Sequence, residues 1–147
     1  MGGNESSDLV FDLQFYIRKV FFKGFESTFD FPPGIRHGYI KALMFLKMEG
    51  PSLMSKISEK ANLEKGSFTT VSNRLIDLGY VKKIQDPSDK RAFFLDLTEE
   101  GHELTARIAR AHHAYISAKI GVLSEEEQGM LLSALKMATV LIKKCEQ

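Results

Sequence analysis

Hydrophobic positions recur with helical spacing over most of the chain, and the places where the pattern changes mark its elements. Over residues 8 to about 27, apolar side chains fall on most sides of a helix: Leu9, Val10, Phe11, Leu13, Phe15, Tyr16, Ile17, Val20, Phe21, Phe22 and Phe25. A helix that is apolar all round is a buried one. A chain of 147 residues can hardly enclose it alone, so the pattern predicts that a partner chain covers part of it. Seven of the 11 phenylalanines precede position 32, which concentrates that demand at one end. Pro32-Pro33-Gly34 then interrupts the pattern. A second helix is expected over about 35–49, with Ile40, Leu43 and Leu46 or Phe45 as its stripe and Gly50-Pro51 as its stop.

Ser52 is the expected N-cap of a short third helix marked by Ile57, with Ala61 and Leu63 marking its end and the turn after it. Phe68, Val71, Leu75 and Leu78 follow at i, i+3, i+7 and i+10, one face of a fourth helix. Strands are expected over 80–85 and 92–97, joined by the polar tip Asp86-Pro87-Ser88-Asp89-Lys90-Arg91. Thr98 caps a long helix with Glu99 and Glu100 in its first turn, where the helix dipole favours negative charge. Leu104, Ile108, Ala111, Tyr115, Ala118 and Val122 give that helix a near-heptad seam. Ser124 and Glu127 form a capping box for a last helix carrying Leu131, Leu135, Ala138 and Leu141. Helix, turn, helix and a hairpin with a cationic tip, in that order, read as a winged helix-turn-helix, a module that docks a helix in the DNA major groove.

Charge changes the picture. The net charge of +1 is unpromising for nucleic acid, but residues 36–91 hold 11 of the 20 Lys and Arg and 6 of the 19 Asp and Glu. The middle of the chain is basic and its two ends are acidic. With the apolar stripe of the fourth helix inward, its outer face carries Gly66, Thr69, Thr70, Asn73 and Asp77, flanked by Lys65, Ser67 and Arg74. Asn offers a donor–acceptor pair to adenine, Thr methyl groups meet thymine methyls, and Arg pairs with guanine. Ser88, Lys90 and Arg91 at the hairpin tip, with Lys82 and Lys83 at its base, complete the set of candidate DNA contacts. Arg at such a tip suits a narrow, A·T-rich minor groove. Asp89 is expected to orient Arg91 rather than to meet DNA, since it would repel phosphate.

These motifs resemble the MarR family of transcription regulators, over nearly the whole chain from about residue 8. The strongest match is the run from Asp86 through Arg91 to Leu97-Thr98-Glu99-Glu100-Gly101, similar to that family's wing and its "LT-x-x-G" helix start. Leu63-Glu64-Lys65-Gly66-Ser67-Phe68-Thr69 is similar to the start of its recognition helix, and Arg74-Leu75 followed by Gly79-Tyr80-Val81 to the exit into the wing. Ser58-Glu59-Lys60-Ala61-Asn62 departs from the usual Ala-Glu-x-Leu-Gly, but Asn tolerates a left-handed turn almost as Gly does. Tyr39 stands where the family commonly has Gln. The fold class expected is mainly α with a small β-hairpin: a winged helix-turn-helix lobe plus interlocking N- and C-terminal dimerisation helices. Its expected divisions are a disordered 1–7, a dimerisation helix and linker over 8–34, the DNA-binding lobe over 35–98 and dimerisation helices over 99–147.

The resemblance implies a homodimer on a pseudopalindromic operator, acting as a repressor and released by a small, often phenolic, ligand. Phe15, Phe22, His37, Tyr39, Met44 and Phe45 lie on the helices that would line such a pocket, although one by one they read first as core and dimer packing. The competing reading of the residues is a winged-helix protein-interaction module that does not bind DNA. No metal, cofactor or enzymatic activity is expected: His112 and His113 point about 100° apart on a helix, and no phosphate-binding loop, dinucleotide fingerprint or nucleophile elbow is present. Cys145 lies near the end of the chain, not in the N-terminal region where the family's peroxide sensors carry theirs, so thiol sensing is not expected. With no basic–apolar signal segment and no run of 18 apolar residues, the expected location is the cytoplasm.

Overall fold

The computed structural model describes residues 3–60 and 65–146, with side chains for all of these except residues 3, 37 and 65–67. The chain divides into two compact units, residues 1–27 with 112–147 and residues 28–111. The first contains helix α1 (Gly3–Ile17), a π-helical segment (Arg18–Lys23) and the single turn α2 (Gly24–Glu26). The long helix α6 (Glu99–Ile120) ends in this unit, which also contains α7 (Glu125–Lys144). The second unit contains α3 (His37–Glu49), β1 (Ser52–Leu53), α4 (Met54–Lys60), α5 (Lys65–Asp77), β2 (Val81–Gln85), β3 (Phe93–Leu97) and the start of α6.

The core sits in the 28–111 unit. Leu43 and Leu46 of α3, Ile57 of α4, Phe68 and Leu75 of α5, Leu95 and Leu97 of β3, and Leu104 and Ile108 of α6 are all buried. Their helical and alternating spacings are those the pattern predicts. Helix α5 ends in a Schellman motif: Tyr80 N–H donates to the Leu75 carbonyl at 3.0 Å and Gly79 N–H to Ile76 at 2.9 Å. Gly79 takes φ +81°, a conformation that favours glycine. The turn delivers the chain directly into β2. Thr98 caps α6 as expected, its Oγ1 accepting from Gly101 N–H at 3.1 Å. The capping box of α7 is complete, with Glu127 N–H donating to Ser124 Oγ at 3.1 Å and Ser124 N–H to the Glu127 carboxylate at 2.9 Å.

Three expectations change. Ser52 does not cap α4; it lies in β1, paired with Leu95, and its hydroxyl donates to the Gly50 carbonyl at 2.9 Å. The hairpin is therefore part of a three-stranded antiparallel sheet in the order β1-β3-β2, with Val81 opposite Leu97 and Gln85 opposite Phe93. Helix α1 begins at Gly3, inside the stretch read as a disordered terminus. Ala61 and Leu63, read as the end of the third helix and its turn, lie outside the described residues.

The 1–27 and 112–147 unit differs in kind. Among its described residues Phe25 is the one buried hydrophobic side chain, with its ring stacked on His112 at 4.4 Å between centroids. His112 Nε2 lies 2.7 Å from the Phe21 carbonyl oxygen, inside the π-helical segment. A π-turn frees carbonyls from the ordinary helical ladder, and this one finds a side-chain partner.

Candidate nucleic-acid interface

Helix α5 presents two chemically different sides. Phe68, Val71, Ser72 and Leu75 are buried, while Thr69, Thr70, Asn73 and Asp77 are exposed, as the 100° spacing requires. Ser72 closes its own polar account by donating to the Thr69 carbonyl at 3.0 Å. Lys65 and Ser67 fall on the backbone of α5, but their side chains are outside the described set. Arg74 is exposed at the flank, and its guanidinium leans over the Pro32-Pro33-Gly34 turn, 3.1 Å from where a Gly34 Cβ would stand.

The wing tip is ordered by its own acids. Asp86 Oδ1 accepts from the Ser88 hydroxyl at 2.7 Å and from Ser88 N–H at 2.8 Å. These two bonds, the hydroxyl first, hold the Asp86 carboxyl below the usual carboxylate range. Asp89 Oδ1 accepts from Arg91 N–H at 2.9 Å, a contact with the backbone and not with the Arg91 side chain. Gln85 Nε2 donates to the Lys90 carbonyl at 3.1 Å, and Ala92 N–H to the Asp89 carbonyl at 3.0 Å. Ser88, Lys90 and Arg91 are all exposed. At the base, Lys82 stands opposite Asp96 across the strands. Lys83 is on the other sheet face, its ammonium 3.9 Å from the centre of the Phe93 ring. The Gln85 and Lys83 contacts carry no signature in a single sequence, because each depends on the strand register.

The aromatic residues nominated for a ligand pocket are divided between the two units. Phe15 and Phe22 belong to the first, Phe22 in edge contact with His112 at 5.0 Å. Tyr39, Met44 and Phe45 belong to the second and are half-buried; the His37 side chain is outside the described set. Among the described residues no three His, Cys, Asp or Glu side chains gather as a metal site, and no helix is long and apolar enough to cross a membrane.

A buried apolar stripe behind α5, a polar outer face on it and an ordered cationic hairpin define a winged helix-turn-helix protein. Residues 37–93 match the model of the MarR family. The chain is 30% identical over 128 residues, 83% of each chain, to YkoM of Bacillus subtilis, an uncharacterized HTH-type transcriptional regulator. Among solved structures it is similar to the transcriptional regulator Tm0710 of Thermotoga maritima, with 22% identity, 96% of each chain covered and a TM-score of 0.71. It is also similar to FabT of Streptococcus pneumoniae in complex with DNA, with 22% identity, coverage of 97% of this chain and 96% of that one, and a TM-score of 0.65. The chain belongs to the MarR family of transcriptional regulators.

Proposed function

We propose that this protein is a sequence-specific DNA-binding repressor that acts as a homodimer on a pseudopalindromic operator. The observation that carries the reading is the exposed Thr69, Thr70 and Asn73 face on α5, backed by the buried Phe68, Val71 and Leu75. Side chains there can reach base edges without disturbing the core. Beside it, Lys90 and Arg91 stand exposed on a tip that Asp86 and Asp89 hold in shape. Positioning by phosphate contacts and reading by base contacts need both parts. The dimer is supported by the exposed apolar surface of α1 and α7, and release by a small ligand belongs to the same reading.

Selection of bound DNA from a random pool tests it. Two inverted half-sites should emerge, centred about one helical turn apart, roughly 34–36 Å, or slightly more. Binding should weaken steeply with salt as counterions are released. Recovery of no shared sequence, with no salt-dependent shift of duplex DNA, would favour the protein-interaction module instead.

A further inference from the structure

A cavity of about 520 Å3 lies wholly within the 28–111 unit, and none of its lining residues belongs to the interface proposed above. Its floor is one face of α6, where Glu100, Glu103, Arg107 and Arg110 follow at i, i+3, i+7 and i+10. Tyr80, Pro32 and Leu104 add apolar surface. Charge is thus sorted along the floor, with both carboxylates at one end and both guanidinium groups at the other. Opposite charges spaced this way on a helix commonly pair with each other. Among the described residues no ion pair joins these four; Arg107 lies instead over the Phe29 ring, 5.6 Å from its centre. The Tyr80 wall is firmly placed. Its carbonyl accepts from Thr98 N–H at 3.1 Å, and Gly101 of α6 approaches the same oxygen so closely that a Cβ there would collide with it.

We infer that this cavity binds a linear zwitterion of about tripeptide length, its ammonium end at Glu100 and Glu103 and its carboxylate end at Arg107 and Arg110. Length decides the class. The midpoints of the two charge pairs are about seven residues apart, or about 10 Å at the helical rise, and three extended residues span about 10 Å. A simple anion would meet two carboxylates in the same cavity, and a simple cation two guanidinium groups. Only a ligand carrying both charges, at this separation, meets each end favourably. Guanidinium forks grip a terminal carboxylate through paired N–H donors, and an apolar central side chain would lie on Tyr80, Pro32 and Leu104. The volume falls in the range of small-molecule sites, about 300–1,000 Å3.

Titration calorimetry of the full chain with alanyl-leucyl-alanine, and with its N-acetylated and C-amidated forms, tests the inference without reference to DNA. Saturable binding is expected for the free tripeptide, weakened at least about tenfold by blocking either end, as loss of a charge-assisted bond implies. Glu103→Gln and Arg110→Gln should each weaken it similarly; both side chains are exposed, so melting temperatures should match the parent. Equal binding of an end-blocked form, or no binding of the free tripeptide, would overturn the assignment whatever the variants do. So would a concentration-dependent self-association that both substitutions weaken in the absence of peptide binding, since the stripe would then be pairing with a second copy of itself.

Discussion

Asn73 and Thr70 lie one turn apart on the exposed side of α5, and neither supports the buried stripe behind it. Alanine at either position should therefore leave the melting temperature unchanged. Each loss should cost about 1–3 kcal/mol of discrimination at one base position per half-site, measured by competition among single-base operator variants. Unchanged base preference in both would remove this face from readout. At the wing, Arg91→Ala should weaken binding chiefly where the flanks are A·T-rich, whereas Lys82→Ala should weaken it evenly and lower the salt slope by about one. Asp86 gives the wing a pH signature. The Ser88 hydroxyl, and then the Ser88 amide, hold its folded-state carboxyl below the ordinary carboxylate range. The bonds are therefore fully present above the ordinary carboxylate value and lost as pH falls through the lowered one. Ser88→Ala should move the Asp86 midpoint, followed by carboxyl NMR, back up toward 3.8. A midpoint that stays put would mean that the amide alone sets it.

The elements divide into those that local pattern dictates and those that only register creates. The stripe of Phe68, Val71 and Leu75, the α7 capping box and the Thr98 cap were legible because each lies within a few residues of chain and has a period or a spacing of its own. Strand β1 was not legible: Ser52 and Leu53 are too short a run to show alternation, and Ser52 has the chemistry of a helix cap. Its partner Leu95 is 43 positions away, a separation that no local rule reports. The π-helical turn at Arg18–Lys23 was hidden for a similar reason, since its Phe21 carbonyl meets His112 from a distant helix. Gly101 shows how a short motif can be legible before its reason is. The "LT-x-x-G" glycine was recognisable as a pattern; the structure supplies the cause, the Tyr80 carbonyl packed where a Cβ would stand. Backbone cannot yield as the tip of a side chain can. Gly101→Ala should therefore destabilise the fold by about 1–3 kcal/mol, the usual cost of overpacking, seen as a lower urea midpoint at unchanged slope. A neutral result would mean that α6 and the Tyr80 backbone can separate without loss.

At the scale of the whole molecule, the two units stand on different energetic footings. Among the described residues, the 28–111 unit contains 12 of the 13 buried hydrophobic side chains, and in the other unit Phe25 alone is buried. The 1–27 and 112–147 unit instead exposes Leu9, Val10, Phe11, Leu13, Phe15, Tyr16, Val20 and Phe22, with Phe11 at 67%. Helix α7 adds Met130, Leu132, Met137, Val140, Leu141 and Ile142. Contiguous exposed apolar surface on this scale marks an interaction surface. Removing the exposed halves of the eight N-terminal side chains from water would contribute roughly 6–12 kcal/mol per chain, and a symmetric dimer does so twice. Association costs about 4–15 kcal/mol, so burial in a symmetric dimer is of the size that offsets it, and the apolar surface of α7 adds to the favourable side. Sedimentation over a wide concentration range should accordingly find a dimer. Phe11→Glu should shift it toward monomer, because a carboxylate placed in that surface must be desolvated without a partner. The same substitution should abolish binding to a full operator far more than to an isolated half-site, since each α5 face would remain intact while the link between the two was lost. A parent protein that stays folded and monomeric at micromolar concentration would sink the dimer, and with it the pseudopalindromic operator.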